Sequence, residues 1–345
     1  MDPFARRRLG RTTIELPLLG FGAAPIANLY APTTEAEAQA TLEAAWEAGI
    51  RYFDTSPWYG RGLSELRLGA FLRSRPRDEY VLTTKVGRVF APPEDMAAFL
   101  ASERGWVHGL PLNHRYDYTY DGVLRSLEQS HVRLGLARID ALLIHDLDTD
   151  NLGEERTRRH MDELVAGGGY RALTELKAAG RIKAIGAGIN HIGTIPQFLD
   201  VIDLDFVLVA SPYTLVEQPV LDGEFERLER AGVGVIIGQP FASGILAKGP
   251  VEGARYKYQP APPKILEKVR QIKAVCDRYG VPLPAAALQF VLAHPLVASV
   301  IPGAYTPDEV ASNVRLIGHE IPGELWAELK RDGLLRADAP TESRA

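Results

Sequence analysis

The chain has 345 residues, 46% of them hydrophobic and 24% charged, with a net charge of −5; this is ordinary globular composition, of a length that fits two domains or one large α/β barrel. The negative balance gives no support for a nucleic-acid or anionic-membrane partner. No apolar run approaches the roughly eighteen residues that span a bilayer, and the N-terminus lacks the apolar core of a secretory signal, so a cytoplasmic location is expected.

From the N-terminus, Arg6, Arg7 and Arg8 are soon followed by Arg11, Glu15 and alternating apolar residues, which predicts a strand hairpin over about 4–18 rather than a targeting signal. Short β-branched or apolar runs then recur at 19–23, 51–55, 81–86, 139–144, 182–187, 206–210, 233–237 and 298–301. Helical stretches lie between them. Residues 34–48 carry Ala38, Leu42, Ala45 and Trp46, and 120–134 set Val123, Leu124, Leu127 and Leu134 on one face. Cys276, the single cysteine, falls in a helical stretch over 265–279, where a lone thiol packs as a small side chain. No Ser/Gly-rich linker divides the chain, so one domain over 1–345 is expected.

Strand then helix, eight times over, predicts a parallel sheet with helical crossovers, and eight strands close a barrel. The expected fold is α/β, a single (β/α)8 TIM barrel with an N-terminal β-hairpin at one end. Two long loops, 88–118 and 241–262, follow strand C-termini, the face where barrel active sites lie. The competitor is a doubly wound dinucleotide-binding sheet. Gly20-Phe21-Gly22-Ala23-Ala24-Pro25 half matches its fingerprint, but proline stands at the third glycine and no helix opens directly, so the phosphate-binding context is missing.

In a barrel, Asp54 ends the second strand, Lys85 the third and His145 the fourth, with Tyr59 in the loop just after the second. Taken singly, each has a plain reading as a cap, a packed ring, a surface amine or a core histidine. Adjacent strands bring all four to one pocket. There an amine makes a phenol more acidic, and a carboxylate holds the amine. None of the eight histidines forms HExxH or a Cys/His set, so no metal is expected. Asp146, Asp148 and Asp150 read as a solvated loop.

These residues stand within longer matching phrases: RRLGRTTIELPLLGFGAAP, AGIRYFDTSPWYG, LSELRLGAFL, LLIHD, GRIKAIGAGIN, QPFASGIL and VIPGAYTPDEVASNV. Together they resemble the aldo-keto reductase superfamily, nicotinamide-dependent oxidoreductases on an eight-stranded α/β barrel, over nearly the whole chain. The resemblance implies Tyr59 as general acid/base, Lys85 lowering its pKa, Asp54 paired to Lys85, and His145 orienting the reacting oxygen. It implies a nicotinamide contact from Asn190, where the family often has Ser-Asn and this chain has no serine. Cofactor contacts are also implied from Gln239, Phe241 and Ser243, and from Gly303, Ala304, Tyr305, Glu309 and Asn313 around the adenosine. Gly238 stands where the family often stacks an aromatic, leaving Phe241 or Tyr213 as substitutes.

NADP-preferring relatives carry Lys or Arg after the eighth strand, whereas residues 302–314 contain neither; NAD is therefore expected over NADP. FGAAPIANLY, GVLRSLEQSHVRLGL and VPLPAAALQFVLAHP look like the branch of aldose 1-dehydrogenases (L-fucose, L-galactose, D-threo-aldose) and pyridoxal 4-dehydrogenases. The implied chemistry is oxidation of a cyclic hemiacetal to a lactone, with an aldose or pyridoxal as the small-molecule substrate. A non-catalytic nicotinamide-binding sensor is the third reading. Trp58, and Trp106, His108 and His114 from the 88–118 insertion, are candidate substrate walls, against the plain alternative of a packed excursion. Monomer and homodimer both remain open.

Overall fold

The computed structural model describes residues 1–102 and 106–342. The chain opens with β1 (Arg6–Arg8) and β2 (Glu15–Pro17), antiparallel with Arg6 opposite Pro17 and Arg8 opposite Glu15. Gly10 turns between them in the left-handed region (φ 52°), and a methyl group there would lie 2.4 Å from the Gly234 nitrogen; only glycine fits that approach.

β3 (Phe21–Gly22), β4 (Tyr52–Asp54) and β5 (Val81–Val86) follow, then a side hairpin of β6 (Arg88–Ala91) and β7 (Asn113–Tyr116). The sheet resumes with β8 (Ala141–Ile144), β9 (Ala184–Ile189), β10 (Phe206–Val209) and β11 (Gly234–Gly238). A second side hairpin, β12 (Arg255–Tyr256) and β13 (Gln259–Pro260), precedes β14 (Val297–Ile301). The eight sheet strands lie in the order β3-β4-β5-β8-β9-β10-β11-β14, parallel throughout. Parallel bridges from Leu19 to Val300 and from Gly22 to Gly303 return the last strand to the first, so the expected eight-stranded barrel is formed. Gly20 and Gly22 serve this closure: a Cβ on Gly22 would meet the Ile301 carbonyl oxygen at 2.8 Å.

Helices ring the barrel. The first, Glu35–Glu47, begins at Thr34, whose hydroxyl accepts from the Glu37 N–H while the Glu37 carboxylate accepts from the Thr34 N–H, a reciprocal cap. Strands buried on both faces read as near-continuous apolar runs. Their outward residues (Phe53, Leu82, Leu142, Ile144, Val207, Val209) pack on the helices. Their inward residues (Tyr52, Ala141, Leu143, Ala184, Phe206, Leu208, Ile236) pack with Leu9, Ile14 and Leu16 of the hairpin, which plugs one end. Each fully buried Leu or Phe contributes about 1.5–3 kcal/mol.

β9 departs from expectation, starting two residues later than the 182–187 run. Gly188 and Ile189 are therefore strand rather than the loop after it, and Gly186 stays small where the Phe206 ring fills the barrel: a Cβ on Gly186 would lie 2.7 Å from that ring. The 88–118 insertion contains β6, a helix at Met96–Ser102 and β7, with 103–105 outside the described residues. The 241–262 insertion contains a short helix, Ile245–Lys248, and the β12–β13 hairpin.

Candidate active site

Side chains alternate along a strand, and this places the site. Tyr52 points into the barrel, so Asp54 does too. Leu143 points in, so His145, two residues on, also faces inward at the mouth. Thr83 donates its hydroxyl to Asp54 Oδ1 at 2.7 Å, and two residues later Lys85 Nζ donates to Asp54 Oδ2 at 2.7 Å and to the Thr55 carbonyl at 2.8 Å. Tyr59 follows in a tight turn whose next residues, Gly60, Arg61 and Gly62, all have positive φ. That turn lays its ring over Lys85, with Nζ 4.7 Å from the ring centre, and edge-on to the His145 ring at 6.0 Å. The four predicted residues are thus brought together at the C-terminal face of adjacent strands, Asp54, Lys85 and His145 buried and Tyr59 half-buried in the loop above them.

The electrostatics differ from expectation at one point. Burial pushes the Tyr59 phenol well above its ordinary pKa, Asp54 and Asp146 push the same way, and Arg88 pulls against them. Lys85 lies against the ring face rather than the oxygen, so the expected lowering by Lys85 is not what sets this phenol. Asp54 is raised by burial, with Lys85 and Thr83 opposing. His145 is held well below its usual value by burial and by Arg88 and Lys85, against Asp146; its imidazole is neutral.

The insertion forms a wall. Trp106 is buried against Tyr59 (ring centres 5.7 Å apart) and edge-on to Trp58 (6.2 Å), and His114 lies 4.7 Å from Trp58. Burial and the cations Arg88, Arg61 and Arg156 take His114 down to about 4, so it too is neutral. His108 is exposed. Through Trp106 the insertion packs directly on Tyr59.

Three residues at the mouth escaped the sequence reading. Arg88 is 3% exposed; it donates to Asp146 Oδ2 at 2.8 Å and to the Tyr116 hydroxyl at 2.8 Å, and it lies 3.0 Å from His145 Nδ1. Ser56 Oγ is 3.0 Å from the same nitrogen. Tyr258, at the β12–β13 tip, donates its N–H to Ser243 Oγ at 3.0 Å and touches the Gln239 amide through its hydroxyl. The signal available for Arg88 was a lone cation within the apolar run VGRVF; nothing local marked Tyr258.

Asp146 is not solvated. Burial alone would raise it, but His145, Arg88 and the Asn190 amide outweigh that and hold it at about 2. Asp148 is buried as well and caps a helical turn through Asn151, while Asp150 pairs with His191 at 2.9 Å. Among the described residues no group of three or more His, Cys, Asp or Glu is arranged to hold a metal ion.

Around the rim, Asn190 directly follows β9 and donates one amide N–H to Asp146 at 3.1 Å, leaving its carbonyl and second N–H. Gln239, Ala242, Ser243 and Gly244 have φ of 48°, 48°, 60° and 97°, a tight turn in which the Ala242 and Gly244 N–H groups donate to the Gln239 and Phe241 carbonyls at 2.9 Å. Phe241 packs on the outer core. Gly303 lies against Pro25, where a Cβ would come within 2.4 Å, Ala304 is buried, and Tyr305 donates its hydroxyl to the Leu29 carbonyl at 2.5 Å. Glu309 accepts the Tyr305 N–H at 2.7 Å, and Asn313 is buried one turn further on. Amides, a hydroxyl and a carboxylate lie along one rim, and residues 302 to 314 contain no Lys or Arg. Tyr213 is elsewhere: it is enclosed by Phe225 and Phe290, ring centres 5.0 and 5.2 Å away, so it cannot stack in the mouth.

The model of the Aldo/keto reductase family matches residues 18–331. The chain is 41% identical to a pyridoxal 4-dehydrogenase of Microbacterium luteolum, over 96% of this chain and 98% of that one. It is 40% identical to a D-threo-aldose 1-dehydrogenase of a Pseudomonas species, over 93% and 95%. Among solved structures it is similar to the holo form of an aldo-keto reductase from Bacillus halodurans, with TM-score 0.73, 25% identity and coverage of 99% of this chain and 100% of that one.

Proposed function

The chain belongs to the aldo/keto reductase family, is an oxidoreductase working with a nicotinamide cofactor, and from that premise we propose that it oxidises a cyclic hemiacetal to its lactone with NAD. The observation carrying this reading is the half-buried ring of Tyr59, its face against the Lys85–Asp54 pair (2.7 Å) and edge-on to His145. The bound nicotinamide supplies the acceptor for the hydride that leaves the hemiacetal carbon. Tyr59, ionised, takes the hydroxyl proton as the carbon–oxygen bond becomes a carbonyl. His145 holds the reacting oxygen, Asp54 steadies Lys85, and Trp58, Trp106 and His114 wall the substrate and exclude water. Asn190 would hold the carboxamide, Gln239, Phe241 and Ser243 the phosphates and their flank, and Gly303, Ala304, Tyr305, Glu309 and Asn313 the adenosine.

An aldose is the first substrate class. Pyridoxal is the second, favoured by one feature: Trp58, Trp106 and His114 make a ring-lined slot in which the polar groups of Arg88, Ser56 and Asn190 are already engaged with His145 and Asp146, so fewer remain for several sugar hydroxyls. A spectrophotometric screen of NAD reduction with L-fucose, D-arabinose, L-galactose and pyridoxal separates the classes. Activity on none would sink the reading and return the chain to a sensor role.

The preference for NAD rests on Glu309. Its carboxylate sits at the start of the Pro307–Gly318 helix, where a ribose 2′-phosphate would meet repulsion and residues 302–314 offer no cation. Each missing charge-assisted bond costs about 1.5–3 kcal/mol, so KM for NADP should exceed that for NAD by roughly ten- to a hundredfold. A lower KM for NADP overturns the preference.

A further inference from the structure

Arg88 takes no part in the proton transfer proposed above, yet it is packed against it. Its guanidinium lies between the rings of Trp58 and Tyr116, 4.9 and 4.6 Å from their centres. One nitrogen, Nη2, donates to Asp146 Oδ2 and to the Tyr116 hydroxyl. The other, Nη1, lies 3.0 Å from His145 Nδ1. Arginine has donors only and keeps its proton, so Nδ1 must present its lone pair. Ser56 agrees: its Oγ accepts the Trp58 N–H at 3.0 Å, which leaves its own proton to point at Nδ1. An imidazole accepting at Nδ1 carries its proton on Nε2.

We propose that Arg88 is a positioning residue that locks His145 in the Nε2–H tautomer, so that His145 acts only as a hydrogen-bond donor and the substrate proton leaves through Tyr59 alone. The charged and titratable groups facing His145 are consistent with a locked neutral ring. Asp146, on the same loop, approaches Nε2 at 3.4 Å and favours protonation, but its carboxylate is shared with Arg88 and Asn190. Lys85 from β5 and Arg88 from β6 oppose a charge on the ring. Tyr59 meets it edge-on, and Tyr118 bonds only the His145 carbonyl oxygen, at 2.5 Å. A second proton on Nδ1 would point an N–H at the guanidinium.

The consequence for catalysis rests on the dehydrogenase reading, whereas the tautomer does not, and the test separates them. Nitrogen-15 NMR of histidine-labelled wild-type protein, with the His145 signal assigned by its loss in His145→Asn, should show Nδ1 bare, Nε2 protonated and no titration between about pH 5 and 9. A protonated Nδ1, or titration in that range, overturns the proposal. Arg88→Met keeps an apolar stem between the two rings. It should lower kcat roughly ten- to a hundredfold with KM little changed, bring a histidine ionisation into the kcat–pH profile, and let the His145 signal titrate. Arg88→Lys, which keeps a cation for Asp146, should recover part of kcat. A folded Arg88→Met protein with the wild-type His145 signal and pH profile overturns the proposal; if that variant does not fold, the wild-type spectrum decides. The expected tautomer in a protein that oxidises no hemiacetal would defeat the function and leave the lock standing.

Discussion

A buried phenol whose pKa is raised is a strong base when ionised, and it is seldom ionised at neutral pH. Burial, Asp54 and Asp146 all favour the protonated form of Tyr59, so the ionised fraction rises about tenfold per pH unit below the pKa. Oxidation, which needs the ionised form, should speed up with pH through the neutral and alkaline range; a kcat that falls as pH rises from 7 to about 9 contradicts the assignment. Tyr59→Phe should reduce kcat by about 10²–10⁴-fold with NAD affinity, read by fluorescence quenching, unchanged. Asp54, Lys85 and His145 were legible in the sequence because strand alternation and strand ends determine where such side chains point. Arg88 was not. Its meaning comes from Asp146 and His145, more than fifty residues away, and no local pattern carries a pairing of that span.

Two helices, Leu63–Leu72 after the Tyr59 turn and Tyr120–Leu134 after the insertion, approach each other through Gly69. A Cβ there would lie 2.1 Å from the Leu134 carbonyl oxygen, backbone against backbone, with no side chain able to give way. Gly69→Ala should therefore cost about 1–3 kcal/mol, read as a lower urea midpoint with unchanged m. Gly323→Ala, in a helix where a Cβ meets nothing within 4 Å, should stay within about 0.5 kcal/mol. All eight barrel strands were anticipated from short apolar runs. β9 alone is displaced by two residues at both ends, its last residues, Gly188 and Ile189, lying beyond the apolar run, while Gly186 leaves space for Phe206. The insertions were located as loops, but their inner hairpins were not, since strands of two to four residues carry too little pattern to read.

Acid should test the whole barrel. His294 packs edge-on to Tyr213 and Phe225, and burial lowers its pKa to about 4. The folded state thus binds this proton less well than the unfolded chain, whose histidine titrates near 6.5. Its stabilising contribution, about 3 kcal/mol, is complete above pH 6.5 and is lost as pH falls through about 4. Asp146, held at about 2, contributes above the ordinary carboxylate pKa and loses that contribution between about pH 4 and 2. His294→Gln should flatten the stability profile between about pH 6.5 and 4 while leaving the lower window; a denaturation series with the same slope as wild type there rules this out. Periodicity was enough for the barrel and for the four polar residues at its mouth, because these depend on strand repeats and on which residues end them, and the longer sequence phrases carried the family resemblance. The protonation of Tyr59, the exclusion of Tyr213, the burial of Asp146 and the seat of Arg88 on His145 were decided only when distant segments met. Burial and charge pairing are properties of what surrounds a group, and those surroundings are assembled from every part of the chain.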